Sequence, residues 1–364
     1  VLSFHSALYL GLEHSRDSLR PWRSLTTGVP AVLGTLPGAA ALASDLAAMT
    51  GFECASLAPS TLHVFWDLFG VWPGEGVTIH VDERAYAVGR WGAERVAAQG
   101  APVSTFAHHD AGSLATRIRR GGKRSQRPVA LTDGFCPECG RMAPLPEYLA
   151  VLRRHGGWLV VDDTQALGIF GAGPCPAFPY GKGGGASLRW WGASPAADVL
   201  AVCSMAKGFG APLAFVAGSK RMIRRYENNS ETRVHSSPVS AAQVSAGERA
   251  MLLNRDRAEG ARRTLAARVT RFRAQLARAD WEPAGGLFPV QSFPIPGEKE
   301  AFALYAALLR LGVETVLQAA GHDGRRRIAF LIRADHSNED IDQAAEAWLR
   351  AVSPPASARR WKGV

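Results

Sequence analysis

The sequence lacks the features that would tie it to a membrane, a disulfide framework or a nucleic acid. No apolar stretch in its 364 residues approaches the ~20 needed to cross a bilayer as a helix, so no membrane association is expected. It has five cysteines, an odd number, in a chain long enough to bury a core without cross-links. That usage points to a reducing compartment, and a cytoplasmic location is expected. Cys136-Pro137-Glu138-Cys139-Gly140 looks like one half of a zinc knuckle, but a structural zinc needs four ligands. Cys54, Cys175 and Cys203 stand alone, and no histidine pair has ligand spacing, so the segment reads as a loop and no metal is expected. Long Lys/Arg runs are also missing. The net charge of +10 and pI near 9.8 come from short scattered groups such as Arg117, Arg119 and Arg120, Arg262 with Arg263, and Arg325 to Arg327. This describes a basic surface rather than a nucleic-acid binder. There is no fixed-period repeat, no low-complexity tract and no basic-then-apolar leader. The chain opens at Val1 rather than Met, so a few preceding residues are expected.

What is present is an alternation. Short apolar runs at 77–81, 103–106, 128–132, 158–162, 199–203 and 214–217 read as strands, with helical patterns such as 112–119 and 145–155 between them. Asp110 stands where the first of these helices needs an N-cap. Such an order predicts an α/β fold: a mainly parallel central sheet with helices on both faces, whose ligand lies at the carboxyl ends of the strands. After about residue 249 an Arg/Ala-rich helical region leads to a run at 288–295, a helix near 300–311, a strand near 327–332 and a closing helix from about 339. These predict a small C-terminal α+β domain. The expected divisions are an N-terminal arm over 1–25, a large domain over 26–255 and a small domain over 256–364, with a Pro/Arg-rich tail from 354 that frays.

Chemistry concentrates at two strand ends. Trp158-Leu159-Val160-Val161 is wholly apolar and then meets Asp162-Asp163, which places acid at the sheet's ligand edge. Alone, these carboxylates read more readily as a helix N-cap or a metal ligand. The next strand runs into Ser204-Met205-Ala206-Lys207-Gly208-Phe209-Gly210, and Lys207 alone is an ordinary lysine. Together, 45 residues apart on consecutive strand ends, they offer what pyridoxal 5′-phosphate (PLP) requires. That is an amine to bond its aldehyde carbon and a carboxylate to keep its pyridine nitrogen protonated. Ser204 is within reach of a phosphate oxygen, and Gly208 and Gly210 permit a tight turn. The Gly-rich stretch from Tyr180 to Ser187 lacks the order of a phosphate-binding P-loop and reads as a mobile loop near the active site.

The segment Asp162-Asp163-Thr164-Gln165-Ala166-Leu167-Gly168-Ile169-Phe170-Gly171 resembles the Asp-Asp-Ala-His-x-x-Gly-x-x-Gly stretch of the α-oxoamine synthases, which are fold-type I (aspartate aminotransferase-like) PLP-dependent transferases. Ser204 to Gly210 is similar to their Thr/Ser-x-x-Lys-x-x-Gly cofactor loop. Further likenesses run in the same order along nearly the whole chain. Tyr9-Leu10-Gly11-Leu12 matches their N-terminal Tyr-Leu-Gly-Leu. Thr132-Asp133-Gly134, with Gly140 and Ala143-Pro144-Leu145, resembles Glu-Gly…Asp-Gly-x-x-Ala-Pro-Leu. Ala334-Asp335-His336-Ser337-Asn338-Glu339-Asp340-Ile341-Asp342 resembles Ala-Ala-His-Thr-x-Glu-Asp-Ile-Asp.

The resemblance implies that Lys207 is the Schiff-base lysine, Asp162 the partner of the pyridine nitrogen and Ser204 a phosphate ligand. Tyr86, in Asp82-Glu83-Arg84-Ala85-Tyr86, matches the family's ring-stacking His; otherwise it is simply a core tyrosine. Ser236 and Ser237 match a stretch that reaches the phosphate of the neighbouring subunit, which implies a homodimer with shared active sites. There are departures. Gln165 replaces the family His that contacts the cofactor's 3′-oxygen, and Gln can donate a hydrogen bond but cannot act as a general acid–base. The family's Ser-Gly-aromatic phosphate turn becomes Leu57-Ala58-Pro59-Ser60-Thr61, where Ser60 and Thr61, or amides at a helix start, take over. Leu8 replaces an Asn. The carboxylate-binding Arg falls by strict count on Ala329, with Arg327 and Arg333 of the same strand parity as candidates. The expected activity is condensation of an amino acid with acyl-CoA or another acyl thioester, with loss of carboxylate. The alternatives are an aminotransferase on the same fold and a non-catalytic PLP-fold subunit, against which the presence of both Lys207 and Asp162 speaks.

Overall fold

The computed structural model describes residues 1–72, 76–121, 126–193, 197–319 and 324–353. The tail expected to fray, from residue 354, lies outside the described residues. The chain divides into two compact units. One comprises residues 12–136 and 142–260; the other comprises residues 1–11, 137–141 and those from 261 onward.

The larger unit is built on a seven-stranded sheet. Its strands are β1 (Cys54–Ala58), β2 (Val77–Asp82), β3 (Val103–Phe106), β4 (Arg127–Asp133), β5 (Trp158–Asp162), β6 (Val199–Ser204) and β7 (Ala214–Gly218), in the order β1-β7-β6-β5-β4-β2-β3. All neighbours are parallel except at β7, which runs antiparallel to both β6 and β1. The central strands are apolar runs buried at nearly every position, as a sheet covered on both faces requires. Helices α1 (Ala39–Thr50), α2 (Thr61–Leu68), α3 (Ala87–Ala98), α4 (Ala111–Gly121) and α5 (Leu145–Arg153) alternate with them. Asp110 does cap α4, its Oδ1 accepting the Ser113 N–H at 2.9 Å. Strand β1 has no counterpart among the predicted strands. Its Cys-Ala-Ser-Leu-Ala sequence contains no β-branched or aromatic residue. It forms because β7 offers it a full register from Ala58↔Ala214 to Cys54↔Gly218.

The stretch from Tyr180 to Ser187, expected to be mobile, is instead pinned. Lys182 and Ala172 exchange both backbone hydrogen bonds, Gly183 N–H donates to Glu259 at 2.6 Å, and Tyr180 is fully buried. The stitching comes from residues distant in sequence, which glycine content alone does not reveal.

The second unit carries a three-stranded antiparallel sheet, with the strand Arg326–Leu331 between Val290–Ile295 and Val316–Gln318. Its core is aromatic: Phe293 stacks on Trp348 at 3.8 Å, with Trp281 and Phe330 edge-on to the same indole. The final helix, Asn338–Val352, opens on a capping box between Ser337 and Asp340. His336, quoted above for its resemblance, braces this unit. Its Nδ1 accepts the Arg333 N–H at 3.1 Å, and its Nε2 donates to the Ser3 carbonyl at 3.0 Å.

Candidate active site

The carboxyl ends of β2, β4, β5 and β6 carry Asp82, Asp133, Asp162 and Ser204 respectively. Asp82 is fully buried and serves the backbone. Its carboxylate accepts the Arg84 N–H at 2.9 Å, His108 Nδ1–H at 2.8 Å and the His109 N–H at 3.2 Å. Burial pushes its pKa up, but these hydrogen bonds outweigh burial and leave it below the usual value. The turn they fix delivers Tyr86 at the start of α3, with its backbone N–H donating to Asp133 Oδ1 at 3.0 Å. The Tyr86 ring is 60% exposed, and Lys207 Nζ lies 6.0 Å from its centroid. Tyr86 is therefore not a core tyrosine. Its open face is turned toward the lysine.

Lys207 follows β6 in a loop closed by the Met205 N–H donating to Leu213 and the Ala211 N–H donating to Met205. Below the loop, His14 Nε2 donates to the Phe209 carbonyl at 2.8 Å. The two glycines act differently. Gly210 has φ +64°, the left-handed region, whereas Gly208 is needed for space: a Cβ there would stand 2.5 Å from the Leu167 carbonyl oxygen. Burial lowers the Lys207 pKa, while the carboxylates of Asp162 and Asp133 pull it back up. A half-buried amine of lowered pKa beside an open aromatic face is a nucleophile for a flat carbonyl compound.

Asp162 is buried and opposite Asp133 in the β4–β5 register. Its Oδ1 accepts the Thr164 N–H at 3.1 Å, and the Thr164 hydroxyl makes a further hydrogen bond to the same carboxyl. That hydroxyl also accepts the Ser204 N–H at 3.1 Å, which ties the end of β6 to the end of β5. Ser204 Oγ accepts the Ala206 N–H at 3.2 Å, so the hydroxyl faces its own loop. Gln165 is half-buried in the turn after β5. Next to it, Asp163 receives Ser187 Oγ–H at 2.8 Å and Ser187 N–H at 3.2 Å; burial raises its pKa to about 7.

Of the residues expected from sequence, these contacts link Tyr86, Asp162, Ser204 and Lys207. Ser60 caps the start of α2 by position, with its Oγ 2.9 Å from His63 Nδ1, and Thr61 opens that helix. Ser236 and Ser237 follow the short helix Glu231–His235, which Asp67 of α2 caps through Ser230, Glu231 and Thr232. A cavity of about 340 Å³ is lined by Pro59, His63, Arg233, Ser236 and Ser237, among others; neither Lys207 nor Asp162 is part of its wall. Arg327 lies on the strand Arg326–Leu331 and pairs with Glu138 at 3.1 Å. Arg333 lies past the end of that strand and pairs with Asp335.

Two members of the site were not foreseen. Asp133 ends a strand adjacent to that of Asp162, a signal the sequence did contain. Thr164 falls where the related motif has Ala.

The residues present fit PLP. Lys207 offers the amine, Tyr86 a ring face, and Asp162 a buried carboxylate on the neighbouring strand. Such a set, at the carboxyl ends of a mainly parallel sheet, is what a PLP-dependent enzyme of fold type I requires. Comparison with known proteins agrees. The family model "Aminotransferase class I and II" matches residues 93–347. The 8-amino-7-oxononanoate synthase of Thioalkalivibrio sulfidiphilus is 31% identical over 256 residues, 70% of this chain and 62% of that protein. The enzyme of the same name from Halorhodospira halophila is 31% identical over 338 residues, 89% of this chain and 78% of that protein. The chain thus spans about three fifths of the first of these relatives. Among solved structures, Sphingomonas wittichii serine palmitoyltransferase superposes with a TM-score of 0.82 at 20% identity, covering 96% of this chain and 86% of that one. An 8-amino-7-oxononanoate synthase from Francisella tularensis superposes at 0.74 and 15% identity, covering 97% and 98%. The chain belongs to the class I and II aminotransferase family, in its α-oxoamine synthase branch.

Proposed function

We propose that this chain binds PLP on Lys207 and condenses an amino acid with an acyl thioester, releasing the substrate carboxylate. The observation that carries the reading is the placement of Lys207 Nζ 6.0 Å from the open ring of Tyr86, with the buried carboxyl of Asp162 beside it. When bound, PLP supplies an electron sink for bonds broken at the substrate's α-carbon. Asp162 holds a proton at the ring nitrogen. Tyr86 covers one face of the ring and shields it from water. Lys207, its pKa lowered by burial, gives up and takes back a proton at the α-carbon. Gln165 would donate a hydrogen bond to the ring's 3′-oxygen, and Ser204, Ser60 and Thr61 would hold phosphate oxygens. Arg327 and Arg333 are the candidates for the substrate carboxylate; each carries an acidic partner that a substrate would have to displace.

The active protein is a homodimer in which Ser236 and Ser237 serve the neighbour's phosphate site. Their place on a cavity wall that excludes Lys207 supports this, as do the exposed apolar side chains of Val32, Leu33 and Val234, brought close by the Ala31 N–H donating to the Ser236 carbonyl and the Val32 N–H to that of Arg233. Five cysteines, an odd number in a chain long enough to bury a core without cross-links, support a reducing, cytoplasmic setting. No helix among the described residues is long and apolar enough to cross a membrane. Gln165 favours a second reading, transamination, because it cannot supply the acid–base chemistry of a histidine.

Mixing the PLP-loaded protein with amino acids, with and without acyl-CoA, tests the proposal. Thiol release that depends on both substrates is expected. Conversion to the pyridoxamine form without thiol release would transfer the case to transamination, and a protein that takes up no PLP overturns both.

A further inference from the structure

We propose that Asp133 and Asp162 hold a single negative charge between them, and that Thr164 directs that charge to Asp162. The two residues are register partners at the carboxyl ends of adjacent parallel strands, β4 and β5. Partners on neighbouring strands are about 4.8 Å apart and point to the same face, so both carboxyls enter one small volume. Two carboxylates in such a space cannot both stay ionised, and the one better supplied with donors keeps the charge.

The donors are unequal. Asp133 receives the Tyr86 backbone N–H at 3.0 Å. Asp162 receives the Thr164 N–H at 3.1 Å and the Thr164 hydroxyl. That hydroxyl is oriented, because its oxygen already accepts the Ser204 N–H at 3.1 Å and its proton is left for Asp162. The remaining titratable neighbours agree. Asp82, on β2 beside β4, is kept ionised by His108 and two backbone amides, and its charge disfavours a second one on Asp133. Lys207, after β6, faces both members of the pair. Asp163 and Cys203 lie on the Asp162 side, and burial keeps both neutral more readily than a free group. Burial, followed by the charge of Asp162, lifts the Asp133 pKa well above the usual value. Asp133 is then a neutral acid that clamps the Tyr86 backbone, and Thr164 is a positioning residue for the one charged member.

The inference rests on the PLP reading for its consequence but not for its test. An infrared difference spectrum of wild type against Asp133→Asn at pH 7, with and without PLP, is expected to show the C=O stretch of a protonated carboxyl that the variant loses. A difference containing carboxylate bands alone overturns the proposal, whether or not PLP binds. On the loaded protein, Asp133→Asn should bind PLP within about twofold of wild type, because an amide replaces a neutral acid and still accepts the Tyr86 N–H. Thr164→Ala should bind about tenfold more weakly, with Thr164→Ser restoring most of the loss. The pH at which the bound cofactor's visible absorption changes should move in Thr164→Ala and stay in Asp133→Asn. The reverse pattern refutes the assignment of the charge to Asp162. Failure of the wild type to take up PLP sinks the proposed function and leaves the infrared result to decide the charge sharing.

Discussion

Replacing Asp162 with asparagine removes a charge while nearly conserving shape. The amide oxygen can still accept the Thr164 N–H that now lies 3.1 Å from Oδ1, so the turn after β5 has no reason to move. On the proposed reading, what is lost is the anion that would face a protonated ring nitrogen. A hydrogen bond to a charged group contributes about 1.5–3 kcal/mol net, which corresponds to about a 10- to 150-fold loss of PLP affinity. The lower part of that range is expected. With Asp162 neutral, Asp133 loses the charge that repels its own ionisation and can supply some of the missing field. Alanine would be a poorer probe, because it strands the Thr164 N–H and hydroxyl in a buried place and mixes stability with binding. The assay is equilibrium titration of apo-protein with PLP, read by absorbance, with borohydride reduction and peptide mapping to verify attachment at Lys207. Binding of Asp162→Asn within twofold of wild type would refute the role of Asp162 as ring-nitrogen partner.

Tyr86→Ala should weaken PLP binding about three- to tenfold and Tyr86→Phe less than twofold, by the same titration, because the ring face and not the hydroxyl is offered to the site. Asp163 gives a pH effect of defined sign. Its folded pKa of about 7 lies above the ordinary carboxyl value, so the folded state holds the extra proton, and its contribution to stability is full at low pH and lost as pH rises through about 7. Asp163→Asn should therefore gain in urea midpoint relative to wild type more at pH 8 than at pH 5; an equal difference at both would show that Asp163 is ionised throughout. Asp67→Ala removes the acceptor of four donors at the start of the helix that precedes Ser236 and Ser237, and a loss of about 2–4 kcal/mol is expected in urea unfolding, with Asp67→Asn losing less.

The sheet was legible wherever side chains report burial. Strands β2 to β7 carry apolar or β-branched runs that stand out from the surrounding helical periodicity, and each of the predicted runs lies within the observed strand. Strand β1 was not legible. Five small residues fit a loop as well as a strand, and only pairing with β7, more than 150 residues away, decides the matter. The Tyr180–Ser187 stretch shows the same limit from the opposite side. Its glycines suggest freedom, and Glu259 and Ala172 remove it.

The site divides along a similar line. Lys207, Asp162 and Ser204 stood out because they lie at or just past the ends of consecutive apolar runs, and the sheet does bring those ends side by side. Asp133 stands at a strand end as well, yet its meaning depends on which strand lies next to its own, and sheet order is not written locally in a sequence. Thr164 is subtler still. A threonine after two aspartates is unremarkable until its hydroxyl is found accepting from Ser204 while it binds Asp162. Because that hydroxyl joins Asp162, the proposed anchor of the ring nitrogen, to the loop that carries the lysine, a substitution at 164 should move both together. Changes at Gln165 should instead act at the 3′-oxygen and the substrate, away from the ring-nitrogen anchor. Comparing PLP affinity with the choice between acylation and transamination across variants at these two neighbouring positions would separate holding the cofactor from directing its chemistry.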